Sequence, residues 1–138
     1  WLWAPVEAAP AGLPLYLLQS EPADKLASQL SCLQAIAGKG AFAAAMLADF
    51  TRTLDEEGDW AYRRLHWEAG LLGQALYLEA TAAGLAGTGI GCFFDDEVAA
   101  ALGLPREDMA WRPVYNFTIG GGLEDARILT LPAYSRTG

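Results

Sequence analysis

Three glycines at alternate positions are the residues of this chain best suited to hold a ligand. Gly87, Gly89 and Gly91 lie in a stretch predicted to be a strand, where every second residue faces the same side of a sheet. Without side chains, that side of the main chain would be bare, and its N–H groups could donate to a flat ring. Chemistry at such a site would come from the bound ligand.

The residue types and their spacing give little support to other kinds of catalytic site. His66 is the single histidine, and we interpret it as a packed helix residue rather than a proton donor. The glycines do not form a dinucleotide fingerprint, because that motif opens a helix whereas these glycines follow one. Asp95, Asp96 and Glu97 are predicted to favour the start of a short helix, with a catalytic or metal-binding role as the alternative.

A long apolar helix must position the glycine strand. It is predicted from Trp60 to Ala83, with Asp59 as its N-cap and Gly84 as its stop. Because it is apolar on nearly every side, it is predicted to be central and buried. Its core stripe is predicted to consist of Leu65, Ala69, Leu72, Leu76 and Ala80.

Two further glycines, Gly70 and Gly73, interrupt this helix. Each should cost about 1 kcal/mol relative to alanine. Either tight helix packing or the close approach of a ligand would explain them, and the sequence leaves both open.

The remaining elements are predicted from apolar periodicity and from turn residues. They are a strand at 13–18, a helix from Ser20 to Gly38, a strand at 41–50 for which a helix is the alternative, an acidic loop or helical turn at 51–59, the glycine strand at 88–94, a short helix from 95 that ends at Gly103, a strand at 111–120, and an apolar tail at 124–136.

Length and charge narrow the class of protein. The chain has 138 residues and a formal net charge of −8, which predicts one domain and argues against nucleic acid or an anionic membrane as partner. No uncharged run is long enough to span a bilayer. Cys32 and Cys92 stand far apart, so neither a zinc cluster nor a disulfide is predicted. A reducing cytoplasm is the predicted location.

The stretch from Tyr62 to Phe94, together with Phe117–Gly120 and the tail Asp125–Tyr134, resembles the nitroreductase family of flavin enzymes, and within it the branch of azoline oxidases. The resemblance implies an α+β sandwich with a mostly antiparallel sheet and a long central helix. The residue pattern alone, with strands and helices alternating, would favour a parallel sheet. We follow the resemblance.

The resemblance also implies a cofactor site. In the family, main-chain amides of the strand after the long helix contact FMN, and these amides correspond here to Gly89, Ile90, Gly91 and Cys92. The family tail brings basic groups to the FMN phosphate. Here Leu131-Pro-Ala-Tyr-Ser-Arg136 keeps only the arginine, so Arg136 is the candidate phosphate ligand.

Nothing in the chain matches the phosphate-binding loop with which family members open, so residues 1–138 are predicted to be the C-terminal portion of one such domain. The resemblance implies an FMN-dependent oxidoreductase that passes hydride through flavin N5 to or from a small molecule, with NAD(P)H as a possible electron donor. A homodimer, or association with the missing portion, is expected. The alternatives are a degenerate domain without flavin and a regulatory module that binds another flat ligand.

Overall fold

The structure is a computed structural model, and it describes residues 4–107, 109–123, 125–129, 131 and 134. The elements, in chain order, are β1 (Ala4–Pro5), β2 (Tyr16–Leu17), α1 (Asp24–Leu30), α2 (Ala35–Lys39), β3 (Phe42–Asp49), α3 (Phe50–Glu57), α4 (Ala61–Ala82), β4 (Ala86–Ile90), α5 (Asp95–Ala101) and β5 (Trp111–Gly120).

The main sheet has three strands in the order β3-β5-β4, and both pairings are antiparallel. This confirms the predicted α+β fold and rules out the parallel sheet that the pattern of elements alone favoured. The β3–β5 register shifts between Met46 and Leu47, and Leu47 lies opposite Pro113. Proline cannot donate a hydrogen bond to a neighbouring strand, so a central strand can contain a proline where the pairing is irregular.

Alternation along β5 gives the sheet two covered faces. Phe117 and Ile119 pack with Ala80 of α4 in a buried cluster on one face. Asn116 instead borders a cavity lined also by residues of α1 and α5, including Leu30 and Val98. The sheet therefore lies between α4 and a layer of shorter helices, which is why half of the residues of β5 are buried.

Helix α4 has the predicted bounds to within one residue at each end, and Gly84 follows it with φ 70°, a value that favours glycine. Its N-cap is Trp60, and among the described residues no side chain caps it, so the predicted role of Asp59 is wrong. Within this chain the helix is buried along one stripe only: Trp67 is 64% exposed and Leu72, assigned above to the core, is 59% exposed.

The single helix predicted from Ser20 to Gly38 is wrong, because the structure divides it into α1 and α2. Cys32 and Leu33 between them have φ values of 53° and 61°, which an α-helix cannot contain. The first helix also starts late, with Ala23 as its N-cap. Tertiary bonds of the loop at 31–34, described below, explain the break.

The other predicted elements stand with shifted bounds. The strand at 41–50 is β3, the last strand is β5 with its predicted bounds, and the acidic stretch 51–59 is mostly the helix α3. Of the strand predicted at 13–18, only β2 forms, paired with β1. The glycine strand begins and ends earlier than predicted, at Ala86 and Ile90.

Candidate functional site

The loop between β4 and α5, residues 91–94, presents main-chain donors at the surface. Ile90 anchors it, being only 3% exposed, while Gly91 and Cys92 are exposed. Within the described part of the chain, the N–H groups of Gly91, Cys92 and Phe93 have no hydrogen-bond partner. Exposed amides without an internal partner are available to an acceptor on a ligand.

This loop is tied to the loop at 31–34 by a covalent bond and one hydrogen bond, and to the last residue of α1 by a second hydrogen bond. Cys92 forms a disulfide with Cys32, so the expectation that the two cysteines are unpaired is wrong. The Gln34 side chain donates from Nε2 to the Cys92 carbonyl at 3.1 Å, and the Phe94 N–H donates to the Leu30 carbonyl at 2.9 Å. These bonds draw the chain away from β5 after Ile90, which is why the strand ends there.

The glycines of β4 are smaller than their neighbours for an internal reason. A Cβ on Gly87 would lie 2.8 Å from the Phe117 ring, and one on Gly89 would overlap the Tyr115 hydroxyl. The Gly89 N–H donates to the Tyr77 hydroxyl at 2.7 Å. The prediction that this glycine face lies bare is therefore wrong for Gly87 and Gly89, because aromatic rings of the protein occupy it.

Gly73 of α4 belongs to the same packing. A Cβ there would lie 2.7 Å from Cε1 of Tyr115, whereas one on Gly70 would meet no atom within 4 Å. Tight packing, one of the two explanations left open above, thus accounts for Gly73 and does not account for Gly70.

Three aromatic rings fill the space that the glycines leave. Tyr77 and Phe117 make an edge contact with ring centroids 4.7 Å apart, and Tyr115 contacts Phe117 at 6.4 Å. Burial, and to a lesser degree the neighbouring Tyr77, raise the pKa of Tyr115 above its ordinary value. The phenol of Tyr115 is therefore neutral near pH 7 and serves as a packing group under β4.

Gly91 differs from the other two glycines of the predicted motif. A Cβ at Gly91 would meet no atom within 4 Å, and its backbone lies outside the left-handed region. Its lack of a side chain is thus unexplained by packing within the described residues. Of the three, Gly91 is the one whose open side can admit a ligand.

The matched pair Gly89→Ala and Gly91→Ala tests this distinction. Gly89→Ala should lower the free energy of unfolding by about 1–3 kcal/mol, because the new methyl group displaces Tyr115. Gly91→Ala should leave it unchanged or raise it by up to about 1 kcal/mol, since the position is open. Urea unfolding of both variants is the measurement, and equal midpoints would contradict the packing described for Gly89.

A second concavity lies at the other end of β4. Its volume is 560 Å³, within the range of small-molecule pockets, and it is lined by small residues of the sheet, by Lys39 and by the segment after β5. None of Gly89, Gly91 and Cys92 borders it. This concavity is therefore separate from the loop at 91–94, which holds the predicted site residues Gly91 and Cys92.

Comparison of this chain with known protein families shows which family it belongs to. The model of the nitroreductase family matches residues 6–121, which is most of the chain and includes the whole sheet, α4 and the loop at 91–94. This chain belongs to the nitroreductase family. The finer assignment to the azoline oxidase branch is not part of that match.

Individual relatives of this nitroreductase-family chain agree. A protein of Methanocaldococcus jannaschii named as a nitroreductase is 34% identical over 67 residues, which are 49% of this chain and 34% of that protein. A solved structure from Anabaena variabilis, also named as a nitroreductase, is 31% identical with a TM-score of 0.70 over 77% of this chain and 21% of that one. The chain thus spans about a third or less of these two relatives.

A more distant structure shows the fold alone. It comes from Staphylococcus epidermidis and carries the name of an NAD(P)H:FMN oxidoreductase. It is 16% identical with a TM-score of 0.57, over 83% of this chain and 68% of that one.

Two of the three acidic residues at the start of α5 form ion pairs in this nitroreductase-family chain. Asp96 binds Arg112 at 2.8 Å and Glu97 binds Arg106 at 2.7 Å. No side chain caps α5 among the described residues, so the acids act by charge near the helix start and by pairing. Over the same residues, no cluster of side chains suited to a metal ion is found, and no helix has the length and apolar character of a membrane span.

Sequence reasoning missed Asn116. This residue is 6% exposed, and its Oδ1 has no hydrogen-bond partner among the described residues. It lies opposite Ile90 in the β4–β5 register, directly behind the candidate loop. Its signal in the sequence is an amide between two aromatic residues of a strand, Tyr115 and Phe117. Arg136, by contrast, lies outside the described residues.

Proposed function

We propose that this chain is part of an FMN-dependent oxidoreductase of nitroreductase type, in which hydride passes between flavin N5 and a small organic substrate. One observation carries the proposal. In this member of the family, β4 is followed by an exposed loop in which the N–H groups of residues 91–93 have no hydrogen-bond partner among the described residues. Such a run suits a ring with acceptor atoms along one edge. The name of the Staphylococcus epidermidis neighbour supports FMN as the cofactor.

The residues present fit FMN at the loop, with one change to the predicted set. Gly91 and Cys92 would donate from the main chain, and Ile90 would hold the loop against the sheet through its buried side chain. Gly89 would play no donor role, because its N–H is already bound to Tyr77. We propose the N–H of Phe93 in its place, as it has no internal partner in the described part of the chain.

The finer assignments rest on the residues quoted for the resemblance. We propose a relative of the azoline oxidases, with NAD(P)H as a candidate electron donor and the cytoplasm as location. Because this chain spans about a third of the Methanocaldococcus jannaschii relative, we propose that other parts of the whole protein complete the flavin site.

Helix α4 supports the proposal of a partner surface. Trp67, Leu71 and Leu78 leave an apolar face uncovered, each being more than half exposed. Exposed apolar patches of this kind mark association surfaces. We propose that a second copy, or the rest of a longer chain, covers this face.

Arg136 is proposed to bind the FMN phosphate, and Arg127 offers a matched control in the same tail. Arg127 is paired with Asp125, whose pKa is lowered mainly by hydrogen bonds from the Arg127 side chain. Arg136→Ala should weaken FMN binding about tenfold to a hundredfold through loss of a charge-assisted pair, whereas Arg127→Ala should not. Flavin fluorescence titration measures both, and equal affinities would exclude Arg136 as the phosphate ligand.

The test of the proposed function is flavin binding by the longest natural form of the protein. We expect purified protein to be yellow, added FMN to raise the melting temperature, and NAD(P)H to bleach the bound flavin. FMN at a hundred times its dissociation constant should add about 2.7 kcal/mol of stability. A colourless protein whose melting ignores FMN would support the alternative of a degenerate domain without flavin.

A further inference from the structure

The Cys32–Cys92 disulfide joins the candidate ligand loop to a part of the chain far away in sequence, 60 residues earlier. Cys92 lies on the exposed loop after β4, and Cys32 is half-buried. The bridge is therefore open to a small thiol from the side of Cys92. Access from solvent and the position of the attacked sulfur govern thiol exchange.

The loop at 31–34 is a turn in which the Gln34 N–H and Nε2 donate to the Ser31 carbonyl at 3.0 and 2.9 Å, and the disulfide joins it at Cys32. Cys32 and Leu33 both lie in the left-handed region, with φ values of 53° and 61°, a conformation that costs free energy for residues other than glycine. Leu33 is 76% exposed, so its own burial does not hold it there. The remaining ties to the candidate loop are the Gln34 and Phe94 hydrogen bonds.

We infer that the Cys32–Cys92 bridge is a thiol-exchange site whose reduction releases the loop at 91–94. The exposed position of Cys92 beside the candidate donors and the left-handed backbone at Cys32 and Leu33 favour this role. The inference that flavin binding weakens as a consequence rests on the function proposed above.

A dithiol is the co-reactant that the step requires. Its thiolate attacks Sγ of Cys92, forming a mixed disulfide, and Cys32 leaves as a thiolate that takes up a proton. The second thiol of the dithiol then attacks the mixed disulfide and releases Cys92. The dithiol ends as a disulfide, and the protein ends with two thiols.

Reduction would leave as ties the Gln34 hydrogen bond between the two loops and the Phe94 hydrogen bond to the end of α1. Leu33 and Cys32 could then return to ordinary backbone conformations, and the Phe94 N–H would separate more often from the Leu30 carbonyl. The donors at 91–93 would lose their fixed positions, so that a ligand would have to order them again on binding.

The Phe94 amide is the reporter that tests this without any flavin. Hydrogen exchange of that amide, followed by NMR, should become about tenfold faster or more when the protein is reduced with dithiothreitol, and should recover on reoxidation. The chemical shift of the Phe117 amide, in the centre of the sheet, should stay the same, which shows that the reduced protein is still folded. Cys32→Ser should exchange at the faster rate with and without dithiothreitol.

Exchange at Phe94 that ignores reduction would overturn the inference. So would cysteines that millimolar dithiothreitol leaves unavailable to alkylation in the folded protein. Because wild type is compared with itself in two redox states, the test stands even if Cys32→Ser fails to fold.

FMN affinity, measured in both states, separates this inference from the proposed function. We expect about tenfold weaker binding after reduction, which corresponds to about 1.4 kcal/mol. Equal affinities in both states would overturn the link to the ligand site while leaving the function intact. If neither state binds FMN but Phe94 still responds, the proposed function fails and the thiol-exchange site stands.

Discussion

Replacing both cysteines of the bridge, Cys32→Ser with Cys92→Ser, should lower the free energy of unfolding by roughly 4 kcal/mol. The bridge closes a loop between residues 60 apart in sequence, and opening a loop of this length restores much conformational freedom to the unfolded chain. A loss of this size is a large part of the total stability of a small domain, about 5–15 kcal/mol.

Urea unfolding of oxidised wild type and of the double variant measures this difference. Wild type under dithiothreitol should fall to the stability of the double variant, and the double variant should not respond to the reductant. A double variant as stable as oxidised wild type would show that the bridge does not constrain the chain.

Gly91→Val should abolish FMN binding while leaving the protein folded. The position is open and its backbone is not left-handed, so a valine can be accommodated by the protein itself. Its branched side chain would occupy the space proposed for the flavin ring. The stabilisation of about 2.7 kcal/mol expected from FMN at a hundred times its dissociation constant should therefore disappear.

Gly121→Val is the matched control for this variant. Gly121 is also a loop glycine with no atom within 4 Å of an added Cβ, and it borders the 560 Å³ concavity at the other end of β4. FMN should still stabilise Gly121→Val. The opposite pattern, with loss of FMN binding in Gly121→Val only, would place the flavin in that concavity.

Local signals in the sequence predicted the elements that carry the fold. Helix α4 follows from its apolar periodicity and from Gly84, whose φ of 70° ends it. Strand β5 follows from its flanking turns, and the glycine run after Ile119 marks its end. These features are local, so the sequence alone contains them.

The errors arose where distant residues decide the local conformation. No residue next to Cys32 or Leu33 indicates a break in the helix. The break accompanies a disulfide to Cys92, a residue far away in the sequence. The pattern of glycines in β4 indicates a need for space, but it does not show whether a ligand or the protein itself fills that space. That Tyr115 and Phe117 take up this space depends on strand pairing and on the packing of α4, which local patterns do not reveal.

The candidate site stays a prediction. The sequence places it on a strand at 88–94, whereas the strand ends at Ile90 and residues 91–94 form a loop in which Gly91 and Cys92 are exposed. That Gly89 is bound to Tyr77 could not be predicted, because the hydrogen bond joins a strand edge to a helix residue whose relative placement is a tertiary property. The role of Arg136 stays a prediction.

The amide NMR spectrum during an FMN titration tests the central proposal most directly, since it reports each N–H group separately. Flavin at the loop after β4 should shift the amide signals of Gly91, Cys92 and Phe93 in a saturable manner, while Gly89, held by Tyr77, shifts much less. If saturating FMN instead shifts the amides of Thr88 and Gly120 beside the other concavity, or shifts none, the loop at 91–94 is not a flavin site.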